Sequence, residues 1–239
     1  MPIVFIKNLD SHTRLGLWRM DEEVQMEDVC PPFVCIWLKE KCQARQRETI
    51  ATYALLREMT GRDDLFIAHE QSGRPYLKMA EPDAEKPTTI EEGGRNAELN
   101  IGVSHTRGYA SVIISNTRNV AVDIEYRSDR VRKIANRFLR EDEQGMIERA
   151  CSDEEEKYGK ESTYSSKPLQ TRLLLHWCAK ETVFKFYSDE RLTFQNMRVE
   201  GITDIRDEGD FRCKNLVDGL DNNIHYFQND EIVMTYCKD

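Results

Sequence analysis

Short apolar runs, separated by charged and glycine-bearing stretches, set the outline of this chain. Met1-Pro2-Ile3-Val4-Phe5-Ile6-Lys7 predicts an opening strand, too short and too soon charged for a targeting segment. Residues 33–38 are apolar and precede a helix. From Thr49 to Met59 the period is helical, with Ala51, Ala54, Leu55 and Met59 on one face and Gly61 as the stop. Asn100-Ile101-Gly102-Val103 and Tyr109-Ala110-Ser111-Val112-Ile113-Ile114 predict a hairpin with Arg107-Gly108 near its turn. A further strand is predicted at 120–125. Leu173 to Phe186, free of Gly and Pro, predicts a helix. Phe194 to Val199, Phe211 to Leu216 and Ile232 to Tyr236 predict strands. Two stretches break the pattern. Residues 79–98 hold two prolines, two adjacent glycines and many acids, and predict a loop insertion. Residues 150–170, with Asp153-Glu154-Glu155-Glu156 and a serine-rich end at Pro168, predict a second, mobile insertion. No apolar run is long enough to cross a bilayer.

Within Val120-Ala121-Val122-Asp123-Ile124-Glu125, alternate side chains point to opposite faces. Val122 and Ile124 turn to the core, and Asp123 and Glu125 leave together on the other side. Two neighbouring acids repel, and burying them unpaired is costly. A divalent cation such as Mg²⁺ relieves that repulsion and takes oxygen ligands. The alternative is an edge strand with a wet acidic face. In the later helix, Trp177, Glu181 and Lys185 follow i, i+4, i+8 spacing and share a stripe flanked by Lys180 and Phe184. An ordinary Glu–Lys surface pair accounts for Glu181 with Lys185. A third metal carboxylate and a phosphate-neutralising amine account better for charges set beside a Trp in so apolar a segment.

Ser104-His105-Thr106 reads as a strand end, where hydroxyl and imidazole donors can hold a phosphate; a satisfied structural histidine is the alternative. A catalytic Ser–His pair is disfavoured, because adjacent strand residues point apart.

The 239 residues allow one large domain or two small ones. Lys and Arg number 34 against 43 Asp and Glu, and the net charge of −9 speaks against nucleic-acid binding. Two basic islands stand out: Arg127, Arg130, Arg132, Lys133, Arg137 and Arg140, with Asp129 as the one acid among them, and Lys41, Arg45 and Arg47. In an acidic protein such islands imply acidic partners, with solvated helix faces as the alternative. Seven cysteines without a Cys-x-x-Cys pair, and five scattered histidines, fit a reduced cytoplasmic protein and give no zinc spacing.

Four segments in order resemble the motifs of Sfp-type phosphopantetheinyl transferases. They are Ser72-Gly73-Arg74-Pro75-Tyr76-Leu77, Asn100-Ile101-Gly102-Val103-Ser104-His105-Thr106, Val120 to Glu125, and Trp177-Cys178-Ala179-Lys180-Glu181-Thr182-Val183-Phe184-Lys185. The resemblance spans residues 40–200, and its last two motifs are the most specific. It implies an α+β fold of two similar α/β halves related by a pseudo-twofold, 1–118 and 119–239, with the active site in the cleft between them. It also implies a monomer. The implied reaction moves phosphopantetheine from coenzyme A to a serine of an apo acyl or peptidyl carrier protein and releases adenosine bisphosphate.

On this resemblance Asp123, Glu125 and Glu181 hold Mg²⁺ against the coenzyme pyrophosphate, and Lys185 contacts that pyrophosphate. Ser104 and His105 match the phosphate-contacting pair. Arg74 stands where the family has lysine in a Gly-Lys-Pro motif; it keeps the charge and grips phosphate with a fork. Lys41, Arg45 and Arg47 are the natural partners of the coenzyme phosphates, and the island at 127–140 of an acidic carrier. The carrier serine needs a general base. Glu143, in Arg137-Phe138-Leu139-Arg140-Glu141-Asp142-Glu143, resembles the acid after the family's Arg-Phe-Phe segment and is favoured; Glu181 or a metal-bound water competes. The insertion at 79–98 is longer than the family has here.

Two other readings stay open. Another Mg²⁺-dependent phosphotransfer or phosphohydrolase enzyme would turn over without a carrier. A catalytically inactive scaffold would bind coenzyme A without transfer, though the intact set Asp123, Glu125, Glu181 and Lys185 argues against it. The sequence does not choose among fatty-acid, polyketide and nonribosomal-peptide carriers, or between Mg²⁺ and Mn²⁺.

Overall fold

A computed structural model describes residues 2–79, 99–158, 167–188 and 191–239, with the backbone alone at 154–158 and 167. Among these residues the chain is mixed α/β, with two antiparallel sheets and six α-helices. Its contacts divide it into two units, Met1–Val122 with Lys238–Asp239, and Asp123–Cys237.

The first unit opens with strands β1 (Ile3–Asn8) and β2 (Thr13–Arg19) and helices α1 (Met26–Val29), α2 (Pro32–Leu38) and α3 (Gln43–Thr60). Strands β3 (Leu65–His69), β4 (Pro75–Met79), β5 (Leu99–Thr106) and β6 (Tyr109–Ser115) follow. The sheet order is β1-β2-β6-β5-β4-β3. Helix α3 ends as its sequence predicts, at Gly61 with φ of 68° and its N–H on the Arg57 carbonyl. It buries Ala51, Ala54, Leu55, Leu56 and Met59. Close contact with β2 is possible because residue 16 has no side chain. A Cβ there would stand 2.7 Å from Met59 Sδ and 2.8 Å from Leu55 Cδ1. Burial of each of these large side chains contributes about 1.5–3 kcal/mol. The hairpin β5–β6 forms with Thr106 opposite Tyr109, and Gly108 (φ 78°) supplies its tight turn.

Strand β7 (Val120–Tyr126) leads into α4 (Arg130–Phe138), α5 (Glu141–Tyr158) and α6 (Lys167–Tyr187). A 3-10 turn (Phe194–Asn196) precedes β8 (Met197–Glu200), β9 (Glu208–Asn215), β10 (Asp221–Gln228) and β11 (Ile232–Lys238). The sheet order is β7-β11-β10-β9-β8. Helix α6 packs on β8, β9 and β10, and α4 and α5 pack on α6. Leu175, Cys178, Ala179 and Val183 of α6 are fully buried. Arg172 pins the strand connection by donating to the carbonyls of Ile202 (3.0 Å) and Thr203 (3.2 Å).

The segment 150–170 corrects its sequence reading. Residues 150–158 complete α5, and 167–170 begin α6. Glutamates favour helix, and Pro168 sits in the first turn of α6, where a missing N–H costs nothing. Residues 159–166 lie outside the described residues. So does the expected insertion at 79–98, except for Met79, which ends β4.

Candidate active site

Asp123 lies in the middle of β7 and is 5% exposed, so the wet acidic strand is excluded. An ionised carboxylate this deep needs a partner. Lys185, two turns beyond Trp177 on α6, supplies one: its Nζ donates to Asp123 Oδ1 at 2.7 Å. Lys185 therefore reaches across to β7 instead of closing only a surface pair with Glu181. Burial works against its charge, but Asp123 and Glu181 more than offset this, and its amine titrates above the usual lysine range.

Glu125, two residues along the same face, accepts a hydrogen bond from Trp177 Nε1 at 2.9 Å. The indole is fixed in turn by Phe138 and Phe194, each with its ring centroid at 5.2 Å. Burial and then the charge of Asp123 push the Glu125 carboxyl up, against opposing help from Trp177, Arg130 and Lys185. Glu181 is pushed further, to about 7, by burial first and then by the charges of Asp123 and Glu125, with Lys185 opposing. The three acids from strand and helix therefore feel one another, and with all three ionised, Lys185 and the Arg130 charge beside Glu125 leave them with surplus negative charge.

That surplus is the test of whether a cation suits the place. The donors are all carboxylate oxygens, the choice of a hard divalent ion, and such an ion would relieve the repulsion that raises Glu125 and Glu181. In this conformation, among the described residues, no three His, Cys, Asp or Glu side chains are grouped closely enough to hold a metal. The donors suit a hard divalent ion in kind but are not gathered into a site in this conformation, where the Lys185 ammonium provides the local counter-charge.

Glu143 requires a correction. It is fully buried, with Oε2 accepting from Lys180 Nζ (2.6 Å) and from the Arg140 N–H (2.9 Å), and Oε1 accepting from the Val199 N–H (2.7 Å). Lys180 is fully buried too, and its ammonium also donates to the carbonyls of Phe138 (2.7 Å) and Phe194 (3.1 Å). A protein-borne serine does not reach a carboxylate sealed and occupied in this way. Glu143 is a structural anchor, and the expectation that it serves as general base is withdrawn.

The basic island at 127–140 also divides. Arg127 is bound inside the second unit, donating to Asn229 O (2.6 Å), Thr171 Oγ1 (2.7 Å) and Gln228 Oε1. Arg140 donates to Asp142 Oδ1 (3.0 Å) and Gln195 O (2.7 Å). Arg130, Arg132, Lys133 and Arg137 remain exposed on α4.

In the first unit, Ser104 is buried near the end of β5, and His105 follows it. His105 Nε2 lies 3.0 Å from Arg45 Nη1 and 3.4 Å from Glu48 Oε2. Arg47 donates to Met20 O at 3.3 Å, and Lys41 Nζ sits 4.8 Å from the Trp37 ring centroid. Arg74 follows Gly73 (φ 82°) in the turn between β3 and β4. Sequence reasoning missed two members of this neighbourhood. Glu48 contacts both Arg45 and His105. His69 is held below its usual range by burial and then by the charge of Arg45. Nothing in the local pattern marks either; only the pairing of α3 with distant strands does.

A family model described as the 4′-phosphopantetheinyl transferase superfamily matches residues 119–237. That span contains Asp123, Glu125, Trp177, Glu181 and Lys185. No curated protein matches the chain.

Proposed function

We propose a reaction for this chain, whose residues 119–237 belong to the 4′-phosphopantetheinyl transferase superfamily: transfer of phosphopantetheine from coenzyme A to a serine of an apo carrier protein, with Mg²⁺. The observation that carries the proposal is the charge-surplus cluster of Asp123, Glu125 and Glu181 with Lys185 inside the matched span. Attack by the serine oxygen on the diphosphate forms a new P–O bond and expels adenosine 3′,5′-bisphosphate. Such chemistry is mostly positioning and charge stabilisation.

Asp123, Glu125 and Glu181 would hold the metal, which when bound would neutralise charge on the diphosphate. A lysine ammonium carries three N–H donors, so Lys185 can serve both Asp123 and a phosphate oxygen. With Glu143 sealed away, Glu181 is the side chain we assign to receive the serine proton. Ser104, His105, Arg74, Lys41, Arg45 and Arg47 of the first unit are our assigned contacts for the coenzyme phosphates. The α4 face of Arg130, Arg132, Lys133 and Arg137 suits an acidic carrier, acyl or peptidyl.

Intact-mass analysis of several apo carriers, after incubation with the protein, coenzyme A and Mg²⁺, tests the reaction directly. A gain of one phosphopantetheine that disappears with chelator supports it; unmodified carriers throughout refute it. Coenzyme turnover without carrier would favour a different phosphotransfer or phosphohydrolase enzyme.

Two variants probe the assignments. Asp123→Ala removes a buried acid and should lower transfer by more than about a hundredfold while the circular dichroism spectrum stays that of the parent. Transfer at the parental rate would show that Asp123 has no part in the chemistry. Reversing charge at Arg132 and Lys133 should raise the carrier KM by about tenfold and leave the coenzyme KM alone. If both constants stay put, the α4 face is only solvated.

A further inference from the structure

Arg45 and Glu48 lie three residues apart on α3, on neighbouring positions of one helix face. Strand β5 brings His105 against them. A single oxygen, Glu48 Oε2, stands 3.4 Å from His105 Nε2 and 3.6 Å from Arg45 Nη1, while those two nitrogens are 3.0 Å apart. Glu48 is the one acid between Lys41 and Arg57. Its side chain is 27% exposed, against 48% for Arg45, so the carboxylate sits behind and the guanidinium in front.

The imidazole Nε2 serves one neighbour at a time. A neutral ring accepts from Arg45 there; a protonated ring donates to Glu48. With the ring neutral, Glu48 holds the guanidinium that donates to it; with the ring protonated, two cations stand side by side and Glu48 offsets their repulsion.

We propose that Glu48 is a positioning residue for coenzyme binding: it holds Arg45 and His105 together as one phosphate-gripping pair without touching the coenzyme itself. This rests on the functional reading above. The idea has a distinctive sign. A carboxylate that merely lies near an anion site repels the anion, so its removal tightens binding. A carboxylate that assembles the site loosens binding when removed.

Coenzyme A titrated calorimetrically in the presence of chelator, into the parent, Glu48→Gln and Glu40→Gln, separates the two. Glu40 is an exposed acid between Lys39 and Lys41 and reports the general electrostatic effect. Glu48→Gln should weaken coenzyme binding and raise the coenzyme KM by about tenfold, with kcat within about twofold. Glu40→Gln should bind as well as the parent or more tightly. Matching unfolding midpoints confirm that the comparison is between folded proteins. Binding by Glu48→Gln equal to or tighter than the parent overturns the positioning role. Absence of coenzyme binding by the parent, both in chelator and with Mg²⁺ added back, sinks the functional reading itself, and the proposal with it.

Discussion

Replacing Glu181 by Gln should make the metal-free protein more stable at pH 8 and inactive at any pH. The carboxyl titrates at about 7 in the fold, against an ordinary value of 4.5, because burial and then Asp123 and Glu125 oppose its charge. Between those two values the folded protein keeps a proton that the unfolded chain has released. The unfolded state binds fewer protons there, so stability falls as pH rises through the window. Above pH 7 the loss is complete and amounts to at most about 3 kcal/mol. A glutamine side chain carries no charge and escapes it. Scanning calorimetry in chelator should show the variant's midpoint higher by about 5 °C at pH 8. At pH 4.5 the two proteins should unfold together. Equal midpoints at pH 8 would mean that the carboxylate is not strained.

The same experiment bears on the metal. Millimolar Mg²⁺ should raise the parent's midpoint at pH 8 and barely move that of the variant, since a ligand bound only by the fold stabilises by mass action. A rise shared equally by both proteins would place the ion elsewhere. Transfer by the variant should fall more than about a hundredfold. An acid kept at a cost in stability agrees with the metal-holding role proposed above for Glu181.

Much of this arrangement was legible from local pattern. Strand β7 and helix α6 follow from uninterrupted apolar runs, and the period of each already places Asp123 with Glu125 and Glu181 with Lys185. The β5–β6 turn follows from Arg107-Gly108. Strands β2 and β10 did not announce themselves. In Thr13-Arg14-Leu15-Gly16-Leu17-Trp18-Arg19 the glycine needed for contact with α3 hides the strand signal. In Asp221-Asn222-Asn223-Ile224-His225-Tyr226-Phe227-Gln228 polar residues dominate, though Asn222 is buried and donates to the Cys213 carbonyl at 3.0 Å. The choice among acids was hardest. Glu141, Asp142 and Glu143 look alike in sequence, and only the third points inward, where Lys180 from a helix dozens of residues away meets it. Long-range partners decide whether a charge is a solvated helix start, an anchor or a reactive group, and period alone does not reveal them.

The Glu143–Lys180 pair should prove one of the costliest places to alter in the second unit. Lys180 uses its three protons on Phe138 O, Glu143 Oε2 and Phe194 O. Glu143 uses both oxygens, one on the N–H of Val199 and the other on Lys180 and the N–H of Arg140. The bond to Arg140 also caps the start of α5 by reaching back three residues. The pair thus ties the end of α4, the start of α5, the turn before β8 and β8 itself to α6. Burial depresses the Lys180 amine despite its partner. Removing one member leaves the other as an uncompensated buried charge, so Glu143→Leu and Lys180→Met should each cost about 3–5 kcal/mol in denaturant unfolding. The double variant removes both charges and should cost less than the sum of the singles by at least about 2 kcal/mol. It should not return to the parent, because the N–H groups of Arg140 and Val199 and two carbonyls lose partners at about 1–3 kcal/mol for each one left buried. Additive singles would show that the pair is not coupled. Glu143→Gln completes the argument: it should lower stability yet leave turnover per folded molecule within about threefold, whereas loss of a general base removes about a hundredfold or more. A fall of that size in well-folded protein would return Glu143 to the chemistry.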